Sequence, residues 1–243
     1  MHTQGGFHYR TRIPRFGRSL AYHSPSCDAL ISASGNEIYR LNLEQGQFLN
    51  PIVLDSPDGG PILGVNCIDI NPAHQLLGLG IDGSPSVQFW DPRSRSRVGL
   101  LNLPKGRISR TTGRAKVALP GVDDEKGSSS ESLAVTAIAS RSDGLSYAVG
   151  TSTGHTLLYD IRSPRPFAIK DQGYGLPLKS VTWIEGGSRM AGDGMILSAD
   201  KKVVKIWDRN TVSLSFSVFS HNAPTTVLPA FLKFCVYYTG QRS

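Results

Sequence analysis

Apolar and polar residues alternate along this chain in short runs, and a glycine, aspartate or proline turn closes most of them. The alternation of Val203–Trp207 and Leu157–Tyr159 is that of half-buried strands. One unit recurs four times: a small-residue apolar run, a Gly or Asp turn, then a β-rich run closing on an aromatic and a polar residue. The copies are ALISASGNEIYRL (29–41), QLLGLGIDGSPSVQFWDPR (75–93), LSYAVGTSTGHTLLYDIR (145–162) and MILSADKKVVKIWDRN (195–210). Their closing dipeptides are Tyr39-Arg40, Trp90-Asp91, Tyr159-Asp160 and Trp207-Asp208.

Each copy is completed by a strand on either side. SLAYHS, VNCIDIN, VTAIAS and SVTWIE precede the four units, and QFLNPIV, RVGLLNL, RPFAIK and VSLSFSVF follow them. Four strands per unit, with a period near 50 residues, predict an all-β fold of propeller blades. The second-to-third interval is longer than the others. It contains residues 104–131, rich in Gly, Ser and charge, which reads as a loop insertion. The closing aromatics are expected to pack between blades. The aspartates that follow three of them are expected to hold turns.

Composition agrees with many short strands and tight turns. The 243 residues include 26 Gly and 15 Pro, and only 19% are charged. The three cysteines, Cys27, Cys67 and Cys235, form no CxxC pair. No signal peptide and no spanning segment is visible, so the expectation is a soluble intracellular protein. The net charge is +7 and unevenly spread. Eight Lys or Arg and no acid lie between Pro92 and Val122, and four Arg lie within 10–18. Such fields attract polyanions, although a basic solvated loop has the same composition.

The repeats resemble WD40 repeats. TRIPRFGR (11–18), YHSPSCD (22–28), IYRLNLEQGQFLNP (38–51), WDPRSRSRVGLL (90–101), VGTSTGHTLLYDIRSPRP (149–166) and GYGLPLKSV (173–181) are similar to one family, nucleolar protein ten. The likeness covers roughly residues 5–218. It implies a seven-bladed WD40 propeller with a charged helical extension, and a place in the small-subunit processome. It also implies early pre-ribosomal RNA processing in the nucleus and nucleolus. Four blades and a leading strand, GFHYRTRIP, would be a partial ring, open at both ends. Residues 1–218 are then a partial propeller. SHNAPTTVLPAFLKFCVYYTGQRS does not continue the pattern, and 219–243 are expected to be a divergent tail.

Three motifs suggest chemistry and fail on context. Gly78–Gly83 fits GxGxxG, but a strand follows where a dinucleotide site needs a helix. Those glycines read as small residues near the propeller axis plus a hairpin turn. Gly150–Gly154 fits GxSxG, yet HTLLYD continues as a strand rather than the helix of a nucleophile elbow. His23 and Cys27 are too few for zinc, and Pro25 makes their segment a turn. No catalytic residue, cofactor, metal or small-molecule substrate is expected.

Candidate partner or RNA contacts are therefore sought on loops. Arg12, Arg15, Arg18 and Phe16 form one group. The competing reading is an inter-blade connector with Ile13 and Phe16 in the core. Arg93, Arg95 and Arg97 sit on a turn and are expected to be exposed. Tyr174 and Lys179 lie on an inter-blade loop, with Tyr174 either contacting a partner or buried against the next blade. The reading is a non-catalytic scaffold for processome proteins and pre-ribosomal RNA, with no membrane partner. The alternative is a generic WD40 adaptor, such as a ubiquitin-ligase substrate receptor or coat subunit. An enzyme would need convergent carboxylates or metal ligands near the axis.

Overall fold

A computed structural model describes residues 12–56, 59–104, 108–109, 116–117, 133–185, 194–209 and 214–219. The leading segment through Thr11, most of the 104–131 insertion and everything after Phe219 lie outside the described residues.

The strands fall where the repeat places them. The first blade comprises β1 (Gly17–His23), β2 (Asp28–Ala33), β3 (Glu37–Asn42) and β4 (Gln47–Val53). The second comprises β5 (Val65–Ile70), β6 (Leu77–Ile81), β7 (Ser86–Asp91) and β8 (Ser96–Asn102). Within the insertion, expected as loop alone, β9 (Ile108–Ser109) pairs with β10 (Lys116–Val117). The third blade comprises β11 (Val135–Ser140), β12 (Ser146–Thr151), β13 (His155–Asp160) and β14 (Ala168–Asp171). The fourth comprises β15 (Ser180–Ile184), β16 (Met195–Ala199), β17 (Val203–Asp208) and β18 (Leu214–Phe219).

Each blade is a four-stranded antiparallel sheet with its strands in chain order. The first strands are neighbours in space: β1 touches β5, β5 touches β11, and β11 touches β15. Blades therefore stand side by side around an axis lined by their first strands. Pro51 sits in β4, the outer strand, where a missing N–H costs no central ladder bond.

Register makes the blades equivalent. Cross-strand rows run Leu20–Ile31–Tyr39, Ile70–Leu77–Trp90, Ser140–Tyr147–Tyr159 and Trp183–Ile196–Trp207. Each row ends on the closing aromatic. In the last three blades the row packs on the preceding blade. Leu77 and Trp90 share a cluster with Leu30, Ile38 and Ile52. Tyr147 and Tyr159 join Val87, Phe89 and Leu101. Ile196 and Trp207 join Ala137, Ala139, Ala148 and Leu158. Among the described residues no blade covers the first blade's row at its inner end, where Leu20 is 65% exposed and Tyr22 beside it 51%.

Glycines in β6 permit a close approach between blades. A Cβ on Gly80 would lie 2.5 Å from Cys67 Sγ and 2.6 Å from Val135 Cγ1 of the next blade. Gly83, at φ +73°, makes the following hairpin turn.

Candidate functional site

The closing dipeptides order the blade ends. Asp91 Oδ1 accepts the Arg93 amide at 2.8 Å, and its Oδ2 accepts the Ser94 hydroxyl. Asp160 accepts the Arg162 amide at 2.9 Å and pairs with its guanidinium at 2.6 Å. Those Arg162 bonds hold the Asp160 carboxyl below its ordinary range. In the first blade Arg40 stands in place of aspartate and pairs with buried Asp28 at 2.6 Å. Burial pushes the Asp28 carboxyl up, but hydrogen bonds from Arg40, Asn42 and Ser26 outweigh it, and the net direction is down.

Three of the four closing aromatics carry their polar atoms into local bonds, whereas the buried Tyr159 hydroxyl has no hydrogen-bond partner among the described residues. Trp90 Nε1 donates to Gln88 Oε1 at 2.9 Å, and Trp207 Nε1 to Ser198 Oγ at 2.8 Å. Tyr39 donates to Glu37 at 3.2 Å. All four aromatics are buried.

The structure splits the candidate contacts between two ends of the blades. Arg12, Arg15, Phe16 and Arg18 lie at the end where β1 begins. Arg18 is held by Asp82 at 2.8 Å and Asn66 at 2.5 Å, both in the second blade. Asn66 continues to the Val135 carbonyl of the third. Arg15 packs over Gly35 and acts electrostatically on Tyr39. Arg12 is exposed. Phe16 is 87% exposed, which corrects the connector reading that placed it in the core. Its carbonyl accepts the Ser34 amide, and the adjoining Gly35 amide donates to Leu63, itself 67% exposed. The reason is that β1 starts one residue later, at the rim.

Arg93, Arg95 and Arg97 lie toward the opposite end, on and after the β7–β8 turn. Arg93 and Arg95 are exposed. Arg97 is half-buried and reaches Asp55, 3.3 Å from its carbonyl and 3.7 Å from its carboxylate.

Tyr174 and Lys179 return to the first end, on the loop joining β14 to β15. Tyr174 is 48% exposed rather than buried against the next blade. Lys202, on the β16–β17 turn, places its Nζ 5.7 Å from the Tyr174 ring centroid. Lys201 and Lys202 were not singled out in the sequence, because their Asp-Lys-Lys tip reads only as a hairpin turn. A lysine pair at the tip of a repeat's turn was the available signal.

The motifs without chemistry resolve as turns. Ser152 Oγ accepts the Ala134 amide, and His155 Nδ1 lies 3.0 Å from Thr153 Oγ1. A Cβ on Gly154 would meet the Leu176 carbonyl at 2.8 Å. His23 bonds Ser26, and Cys27 takes a left-handed φ of 55°. Among the described residues no group of three His, Cys, Asp or Glu side chains is placed to hold a metal. Among them, too, no helix is long and apolar enough to cross a membrane.

Four-stranded antiparallel sheets, stacked side by side with their first strands inward, define a β-propeller built from WD-type blades. Residues 1–230 match the family described as Nucleolar protein 10-like, N-terminal domain, and the chain belongs to that family. It is 50% identical over 211 residues to the ribosome biogenesis protein enp2 homolog of Schizosaccharomyces pombe, covering 86% of this chain and 30% of that protein. Identity to ribosome biogenesis protein ENP2 of Saccharomyces cerevisiae is 43%, over 85% of this chain and 25% of that one. Nucleolar protein 10 of Homo sapiens is 42% identical, over 86% of this chain and 26% of its own length. The chain thus spans between a quarter and a third of these relatives. Among solved structures, U3-55K matches with a TM-score of 0.61 at 12% identity, over 88% of this chain and 54% of that one. A chain of a mitotic checkpoint complex matches at 0.59 and 17%, over 86% and 54%. These two likenesses speak for the fold alone.

Proposed function

We propose that this chain is a non-catalytic scaffold in nucleolar small-subunit assembly, holding other processome proteins and pre-ribosomal RNA. The observation that carries the reading is identity of 42–50% over most of the chain to proteins named for ribosome biogenesis and the nucleolus. A generic adaptor role would not bring that identity with it. Two features support a binding role. Loops at both blade ends present exposed arginine, lysine and aromatic side chains, and the net charge is +7. Propellers recognise partners through such loops.

Residues 1–218 act in this reading as the blade array, 104–131 as an inserted basic loop, and 219–243 as a divergent tail. Arg12, Phe16, Arg93, Arg95, Tyr174 and Lys179 are its contacts. Arg18 and Arg97 help join blades, and Arg15 packs within the first blade.

The test is a tagged copy of the chain expressed in cells. Nucleolar signal and recovery of small-subunit precursors with early pre-ribosomal RNA are expected. Recovery of neither, with the tag excluded from the nucleus, overturns the reading.

A further inference from the structure

We propose that Tyr174, Lys179, Lys201 and Lys202 form a contact surface for single-stranded RNA at the blade end where β15 begins. The inference rests on the scaffold reading, which makes RNA a neighbour, and adds the site.

The loop from Gln172 to Lys179 is fixed at both ends and exposes Tyr174 between them. Gln172 Nε2 donates to the Val203 carbonyl at 2.9 Å, and its Oε1 accepts the Ser198 hydroxyl at 2.7 Å. Leu178 is buried, and the Lys179 amide donates to the Ala199 carbonyl at 2.8 Å. Between these anchors Tyr174 stands between Gly173, at φ +94°, and Gly175, at φ +65°. Both are left-handed conformations suited to glycine, and they carry the tyrosine outward.

The facing turn is equally fixed. Asp200 Oδ1 accepts the amides of Lys202 and Val203, at 2.5 and 2.7 Å. That holds exposed Lys201 and Lys202 at the tip, with Lys202 over one face of the Tyr174 ring. Lys205 bonds the Asp171 carbonyl nearby. Four lysines thus stand against two aspartates, and each aspartate is engaged with a backbone amide.

A displayed aromatic flanked by ammonium groups is the combination that single strands use. A base stacks on the ring while lysines take the neighbouring phosphates. No base edge is read, so binding should be insensitive to sequence. An acidic peptide would use the lysines and make less use of an open ring.

The experiment uses fluorescence anisotropy with the full chain and a fluorescein-labelled oligouridine, across a salt series. K201A/K202A should weaken binding at least about fivefold and flatten the salt dependence by about one unit of log–log slope. Tyr174→Ala should cost about tenfold, whereas Tyr174→Phe should stay within about twofold. Arg165→Ala, an exposed charge at the opposite end, should bind like the wild type. Melting curves confirm that the variants remain folded. Binding by the wild type that none of the variants weakens overturns the site and leaves RNA binding elsewhere on the chain. No binding even at low salt also overturns it, while co-purification with small-subunit precursors would still stand. Loss with K201A/K202A alone, together with displacement by a polyglutamate peptide, assigns the surface to an acidic protein partner instead and overturns the proposal.

Discussion

Trp183 of the fourth blade donates its indole N–H to the Ala139 carbonyl of the third, 3.1 Å away. Arg141 of the third blade lies 5.8 Å from the same ring and pairs with Glu185 at 3.3 Å. Leu20 holds the register position of Trp183 in the first blade and is 65% exposed. The same position thus seals one blade junction and faces solvent in the first blade. Trp207→Ala, at the other end of the Trp183 row, should destabilise by about 3–5 kcal/mol. Leu20→Ser should cost less than about 1 kcal/mol. Denaturant unfolding of both variants checks the contrast.

Gly80→Ala should destabilise by about 1–3 kcal/mol, because the new methyl meets Cys67 and Val135 inside a packed junction. Gly78→Ala should be milder. Its nearest neighbour is the Ile138 Cδ1 at 2.9 Å, the far end of a flexible side chain. Equal losses in a thermal melt would contradict this account of the β6 glycines.

Asn71 is buried and joins the second blade to the third. Its Nδ2 donates to the Gly144 carbonyl at 2.7 Å and to the Tyr147 hydroxyl. Its Oδ1 accepts the amides of Ala73 and His74, both at 2.9 Å. Asn71→Ala leaves these groups unpaired and should cost about 2 kcal/mol or more. Asn71→Asp keeps the acceptor and loses the donor, so it should also destabilise. Both are measured by denaturant midpoint.

Asp28 confers an acid-sensitive component of stability. Its folded pKa lies below the ordinary carboxylate value, so the stabilisation is complete above about pH 4. It is lost as pH falls through the depressed value, because the unfolded chain binds the proton first. Asp28→Asn should therefore lower stability at neutral pH and lessen its fall below about pH 4. Melting temperature against pH, for both proteins, tests the sign.

The strands were legible because strand patterning is local. Alternation of period two, small residues before a turn and a closing aromatic are all read within about a dozen residues. Trp90, Tyr159 and Trp207 could be placed between blades from the repeat alone. Lys202 could not be assigned, since its meaning comes from Tyr174, on a different loop.

By itself, the sequence determined that this chain forms four-stranded blades, which residues alternate on their faces, and which family it belongs to. Only the tertiary structure decided how the arginines divide. Arg18 is taken up by Asp82, 64 positions away, whereas Arg12 remains exposed. It likewise decided that Phe16 faces solvent and that Tyr174 meets Lys202. The physical reason is the stacking of one sheet on the next. That packing sets which loops become neighbours, and no pattern within a single repeat encodes it.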